Sequence, residues 1–169
     1  DHGADLIRGK RTCYEGGVRV PFIVRWPKGK PGQVRPELVS TLDLFPTFLE
    51  VSGAKPVNGL PGRSLLPLLR GENPKWCKYM PTEFHLHSAH NYYPQRAIRN
   101  DRYKLIQNLQ PGEEDPGYAF TVNRFFGQQV LAALTKAPKS VQGAYALMKR
   151  PPKYQLYDLQ KDPYEFVNL

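Results

Sequence analysis

Apolar positions along this chain come in short runs closed by glycine or proline. Val18 to Trp26, VRVPFIVRW, is β-branched and aromatic and predicts a strand with Phe22-Ile23-Val24 as its buried centre. Pro21 stands at its start, where no ladder N–H is needed. Pro27 to Pro36 is a Gly/Pro/Lys loop. A helix follows, with Asp43 as cap, Pro46 in the first turn and Gly53 as its end. Phe45, Phe48 and Leu49 give it an i, i+3, i+4 apolar face. Lys55 to Gly62 is a second loop, Ser64 to Leu69 a short helical turn, and Gly71 to Tyr79 a polar connector.

In the second half, Gln95 to Arg99 and Arg102 to Gln107 are strand-like runs on either side of Asn100-Asp101, a pair that tolerates positive φ and signals a two-residue hairpin. Val122 to Leu134 and Val141 to Met148 predict helices, and Tyr154 to Asp158 alternates like an edge or hairpin strand. There is no internal repeat and no low-complexity tract.

Composition narrows the classes. Hydrophobic residues make up 40% of the 169, enough for a packed core, while 17 prolines and 14 glycines favour turns over long helices. No run approaches the roughly 18 apolar residues of a membrane span. Asp1-His2-Gly3 is polar and carries no apolar leader; without an initial methionine the chain is expected to be part of a longer one, with any export signal upstream. The net charge of +9 attracts anions, but the basic residues are dispersed and the stacking and phosphate motifs of nucleic-acid modules are absent. Cys13 and Cys77 form neither a metal spacing nor a CxxC, and the sequence leaves a disulfide between them open.

Three segments carry chemistry. Asp1-His2-Gly3 can offer an oxygen and a nitrogen ligand to one cation, the glycine allowing a tight turn. Lys10, in a glycine-bounded loop, can hold an anion as a compact point charge. Phe84 to Arg99 gathers three of the four histidines, His85, His87 and His90, with Tyr92, Tyr93 and Arg96 close behind. On a strand, His85 and His87 would share a face. No carboxylate or cysteine completes a zinc pattern there, and the mix suits sugar hydroxyls and anionic groups.

Taken in order, these pieces resemble the sulfatases. Asp1-His2-Gly3 is followed by Gly9-Lys10 with Thr12 and Tyr14-Glu15-Gly16-Gly17, then by Arg19-Val20-Pro21-Phe22-Ile23-Val24-Arg25-Trp26-Pro27. The likeness continues through Leu42-Asp43-Leu44-Phe45-Pro46-Thr47, the run Leu60 to Leu69, Arg102-Tyr103-Lys104-Leu105-Ile106, Leu156-Tyr157-Asp158-Leu159 and Asp162-Pro163. The His-containing stretch before Tyr93-Pro94-Gln95-Arg96, the run Arg102 to Leu109 and the long insertion from Pro111 to Pro152 are most similar to the heparan N-sulfatases.

The resemblance implies an α/β chain, the C-terminal portion of an alkaline-phosphatase-like sulfatase fold. Residues 1–75 would end the catalytic domain. Residues 76–169 would form a smaller α+β subdomain with an antiparallel sheet and a helical insertion. Phe22-Ile23-Val24 would then belong to a central sheet whose other strands lie mostly elsewhere. The resemblance implies a divalent cation, calcium in most of the family, with Asp1 as ligand and His2 in the neighbouring position. Many members have Asn there; calcium prefers oxygen donors and imidazole a softer ion. Lys10 would contact the sulfate, and His87 and Arg96 the substrate.

The family's nucleophile is a formylglycine made within Cys/Ser-x-Pro-x-Arg, which neither Cys13 nor Cys77 matches, so it is expected upstream and this part alone is expected to be inactive. The implied substrates are sulfated sugars or glycosaminoglycans, cleaved at sulfate esters or sulfamates, in an exported protein. A phosphodiesterase or phosphonate hydrolase of the same superfamily, and a non-catalytic binder of acidic polysaccharide, are the competing expectations.

Overall fold

The computed structural model describes residues 6–87, 91–124 and 127–169. Two compact units emerge, one of Phe22–Met80 and one joining the residues up to Pro21 with Pro81–Leu169. The residues up to Pro21 thus join the C-terminal unit, whereas the sequence reading set its boundary between residues 75 and 76.

The larger unit is built on a sheet of β1 (Met80–Phe84), β2 (Gln95–Arg99), β3 (Tyr103–Asn108) and β4 (Tyr154–Asp158), in that order. β2 pairs antiparallel with β3 through Ala97↔Ile106, and β3 with β4 through Leu105↔Leu156. The hairpin turn differs in detail from the expected one. Asn100 is not left-handed; its Oδ1 accepts from the Arg102 and Tyr103 N–H groups at 2.8 and 2.6 Å, and its own N–H donates to the Tyr103 carbonyl at 2.9 Å. The asparagine acts through its side chain, closing the turn around Asp101-Arg102.

Alternation sends Gln95, Ala97, Lys104, Ile106, Asn108, Gln155 and Tyr157 to the buried face. Arg96, Ile98, Leu105 and Leu156 point to the exposed face. The core consists of Ile7, Cys13, Tyr14, Ala97, Ile106, Met148 and Tyr157, with Tyr118, Val122, Val130, Leu131 and Tyr145 packed on it. These last come from α4 (Pro116–Val122), α5 (Gly127–Leu134) and α6 (Lys139–Lys149). The expected helix from Val122 is therefore two, because Asp115 caps an earlier start: its carboxylate accepts the Gly117 N–H at 2.8 Å, with Pro116 in the first turn.

The smaller unit holds a 3₁₀ turn (Thr41–Asp43), α2 (Leu44–Ser52) and α3 (Leu66–Leu69). Ser40 and Asp43 form a capping box, and Gly53 ends α2 in the left-handed region at φ 72°. Asp43 also accepts the Arg63 N–H at 2.9 Å, an approach that puts the Leu42 carbonyl where any side chain at Gly62 would stand. The expected strand at Val18–Trp26 is not formed within this chain. Phe22-Ile23-Val24 forms no strand, and Ile23 is 93% exposed. No described strand pairs with it, and extended backbone without a ladder partner is not a sheet. Phe45 and Phe48 likewise stand exposed on α2.

Candidate functional site

Lys10, half-buried, lies in the loop from Leu6 to Tyr14, which runs directly into α1 (Glu15–Val18). Arg8 and Arg11 flank Gly9-Lys10 in the left-handed region, at φ 63° and 71°. That conformation costs a non-glycine residue about 1 kcal/mol or more and persists only where surroundings fix it. Here the side chains do so. Arg8, 7% exposed, donates to the Ala144 carbonyl at 3.1 Å and the Glu165 carbonyl at 2.5 Å, with its guanidinium 3.9 Å from the Tyr14 ring centroid. Arg11 donates to Thr121 Oγ1 at 2.7 Å and covers the Phe120 ring at 4.7 Å.

Between them the loop is tight. The Gly9 N–H donates to the Leu6 carbonyl at 3.0 Å, and Thr12 Oγ1 donates to the Gly9 carbonyl at 2.7 Å. α1 presses against it so closely that a Cβ on Gly17 would meet the Gly9 carbonyl oxygen at 2.6 Å, and one on Gly16 the Arg8 carbonyl oxygen at 2.8 Å. Glycine is required at both places by space rather than by φ.

Beneath the loop lies a buried ionic cluster. Lys104, 1% exposed, sets its Nζ 3.0 Å from Glu15 Oε1 and 3.2 Å from Glu165 Oε1. Glu15 Oε2 is 2.6 Å from an Arg99 guanidinium nitrogen, and Glu165 Oε2 accepts the Glu15 N–H at 2.7 Å. Two cations thus face two carboxylates. Burial pushes the Glu165 carboxyl up, against the lowering pull of Lys104.

An amide chain runs beside the cluster across three strands. The Cys13 N–H donates to Gln95 Oε1, Gln95 to Asn108 Oδ1 at 2.8 Å, and Asn108 to Gln155 Oε1. Gln155 in turn donates to the Tyr14 and Tyr157 hydroxyls at 2.8 and 2.9 Å. Every member is satisfied, which fixes Cys13-Tyr14 against the sheet.

The other residues singled out by sequence fall elsewhere. Asp1, His2 and His90 lie outside the described residues. His87 is exposed, just past β1, and its N–H donates to Asn91 Oδ1 at 3.1 Å. Arg96 projects from the exposed face of β2, while the Lys10 loop packs on the buried face through Cys13 and Tyr14. The partner of Arg96 is Glu83, at 3.9 Å, and Glu83 also lies 3.5 Å from His85 Nε2. His85, not His87, therefore stands with Arg96. Among the described residues no group of three His, Cys, Asp or Glu is placed to hold a metal ion.

Cys13 and Cys77 are both free, and burial raises the Cys13 thiol to about 11, too high for a reactive thiolate. A groove of about 790 Å³ in the smaller unit, lined by Phe22, Val24, Trp26, Val34, Leu65 and Leu69 among others, contains none of the residues proposed from sequence. Arg8, Arg11, Lys104 and Glu165 escaped sequence reasoning as a group. Their contacts span up to 157 positions, and no periodicity or spacing signals such a pairing.

Asp115 gives this neighbourhood a pH signature. Burial lifts its carboxyl from 3.8 to about 6, opposed by the Gly117 and Tyr118 N–H groups and by Arg11. The folded state then binds a proton more readily than the unfolded chain. The group's contribution to stability is complete below about pH 4 and is lost as pH rises through 6. Asp115→Asn keeps the cap and cannot titrate, so denaturant midpoints measured from pH 4 to 7 are expected to fall with rising pH less in the variant than in the wild type.

Residues 5–118 match the family model described as N-sulphoglucosamine sulphohydrolase, C-terminal. Over its whole length the chain is 33% identical to an ulvan-active sulfatase of Formosa agariphila, covering 32% of that protein. It is 29% identical to the N-sulphoglucosamine sulphohydrolase of Homo sapiens, again over its whole length and 36% of the relative. A solved 2-O GAG sulfatase superposes on 85% of this chain and 23% of its own, with 26% identity and a TM-score of 0.55. The chain spans about a third of the length of the curated relatives it matches. The four-stranded antiparallel sheet with its helices corresponds to the C-terminal α+β part of the alkaline-phosphatase-like fold of these sulfatases. With the match covering residues 5–118, and with the relatives aligned along the whole chain, this chain belongs to the sulfatases, as a C-terminal part of the N-sulphoglucosamine sulphohydrolase type.

Proposed function

We propose that this chain supplies the sulfate-binding side of a hydrolase of sulfated sugars, acting on sulfamates or sulfate esters in the manner of the heparan N-sulfatases. The observation that carries the reading is the loop around Lys10, held by Arg8 and Arg11 in a conformation unfavourable without their anchors. Rigid placement suits an ammonium whose task is electrostatic. As the S–N or S–O bond breaks, charge gathers on the sulfuryl oxygens, and a fixed cation beside them stabilises that state more than the ground state. Water supplies the new S–O bond overall, and the sugar amine or hydroxyl leaves with the proton.

The nucleophile belongs to a part of the protein not in this chain, since neither cysteine lies in Cys-x-Pro-x-Arg. Asp1 and His2 are proposed as ligands of a divalent cation, with calcium the expected ion. Bound there, such an ion would polarise a sulfate oxygen. An exported location belongs to the same reading. His87 and Arg96 remain the proposed sugar contacts, and Glu83 and His85 join Arg96 on its face of the sheet.

The deciding experiment is sulfate release by the full-length protein from N-sulfated and from 6-O-sulfated glucosamine, with a phosphonate monoester alongside. Release from the N-sulfated sugar is the expected result. Hydrolysis of the phosphonate alone would replace this reading with the phosphonate hydrolase one. No turnover, with retained binding to heparin that weakens steeply with salt, would leave a polysaccharide-binding module.

A further inference from the structure

Three non-glycine residues have left-handed backbones among those described: Arg8, Arg11 and Glu165, the last at φ 60°. Two of the three grip each other's segments. The Arg8 side chain donates to the carbonyls of Tyr164, at 3.4 Å, and Glu165. In return, the Glu165 side chain accepts the N–H of Glu15, at the other end of the same loop. Lys104 lies between, hydrogen-bonded to Glu15 and ion-paired with Glu165 at 3.2 Å. Arg8 is further enclosed by the Tyr14, Tyr145 and Phe166 rings, with centroids 3.9, 5.9 and 5.9 Å from its guanidinium carbon.

The loop is thus clasped at residues 8 and 15 by one short piece of chain far along the sequence, with Lys10 between the two grips. The turn before that piece is itself tied back. The Glu165 N–H donates to the Asp162 carbonyl at 3.1 Å, and Asp162 Oδ2 accepts the Val167 N–H at 2.7 Å. Glu165 therefore reaches Glu15 from a fixed base.

We propose that the segment Asp162–Val167 is a latch on the sulfate-binding loop, and that Glu165 is a positioning residue that sets where Lys10 stands during sulfuryl transfer. This rests on the role given to Lys10 above. Glu165 touches no substrate in this scheme. It acts through Glu15 and Lys104, and its removal lets the loop shift rather than deleting a charge at the reacting centre.

Glu165→Gln in the full-length protein is the test, because the swap conserves shape. The carboxylate holds one oxygen in an ion pair 3.2 Å from Lys104 and accepts the Glu15 N–H with the other. A glutamine is neutral and puts an NH2 donor where one of those two oxygens stood, so either the Glu15 N–H or Lys104 faces a donor instead of an acceptor. Lys104 keeps Glu15 as its counter-ion, so the fold is expected to survive.

The expected result is a kcat lowered about 10- to 100-fold with KM changed less than about 2-fold, since small displacements of a catalytic group cost that much. Amide exchange over residues 6–15 should also quicken about tenfold or more. A folded Glu165→Gln protein with wild-type kcat overturns the latch. Should that variant not fold, Glu165→Asp, which keeps the charge but shortens the reach, is read by the same two measurements and the same criterion. Lys10→Ala is assayed in parallel. If it turns over normally, the role of Lys10 falls, and the latch is judged on amide exchange alone, unchanged exchange overturning it.

Discussion

Lys10→Ala, introduced into the full-length protein, is expected to lower kcat by about 10²- to 10³-fold while leaving the fold unchanged. Removing one fixed donor to a developing anion costs about that much in other hydrolases, because its attraction is stronger in the transition state than in the bound substrate. The side chain is half-buried and its neighbours hold the backbone without it, so truncation should leave Arg8, Arg11 and Thr12 in place. Lys10→Arg should recover only part of the loss, since a planar fork delivers its charge with different geometry from an ammonium. Turnover under saturating sulfated sugar, with thermal unfolding of each variant as control, measures the effect. Turnover within about twofold of wild type for Lys10→Ala would remove the lysine from the reaction.

The largest expected loss of stability follows from Lys104→Met. Its ammonium is the cation between the Glu15 carboxylate and the buried Glu165 carboxylate, and Glu165 has no other cation within ion-pairing distance among the described residues. Truncation leaves that carboxylate stranded, and breaking a buried pair from one side costs about 3–5 kcal/mol. The double variant Lys104→Met with Glu165→Gln should lose less than Lys104→Met alone, because the stranded charge goes with its partner. Burial already raises the Glu165 carboxyl, and losing Lys104 raises it further. A group whose folded-state value is raised adds stability at low pH and loses it as pH rises. The deficit of Lys104→Met should therefore narrow on acidification. Denaturant unfolding of wild type, single and double variants at two pH values checks both statements, and equal deficits in single and double variants would contradict the first.

Much of the local architecture was legible in the sequence. Pro46 and Gly53 bracket a helix because proline is tolerated in a first turn and glycine accepts positive φ, and the helix runs Leu44–Ser52. Gln95–Arg99 and Tyr154–Asp158 are strands with the bounds read from their composition. Asn100 marks the hairpin, although through its side chain. The order of short motifs was enough to place the chain among the sulfatases.

The sequence could not choose the buried face of the sheet. Hydrophobicity favours Ile98, Leu105 and Leu156 for the interior, yet these are exposed, and Lys104, Asn108 and Gln155 are buried. The reversal works because each buried polar group finds its partner on a distant segment, and no one-dimensional pattern encodes a partner 89 or 141 positions away. The Phe22-Ile23-Val24 strand is unformed for the complementary reason. Its composition declares a preference for a sheet, but a strand exists only where another backbone supplies the ladder, and none of the described strands does.

The sequence by itself thus determined most of the helices, turns and strands and which family they spell, and it singled out Lys10 as the candidate sulfate contact. Only the tertiary structure decided which side of the sheet is buried, that Arg96 stands with Glu83 and His85, and that Glu165 accepts the Glu15 N–H at the end of the Lys10 loop. Local preference is set by neighbours in the chain, whereas the pairing of buried charges is set by whatever the fold brings within about 3 Å.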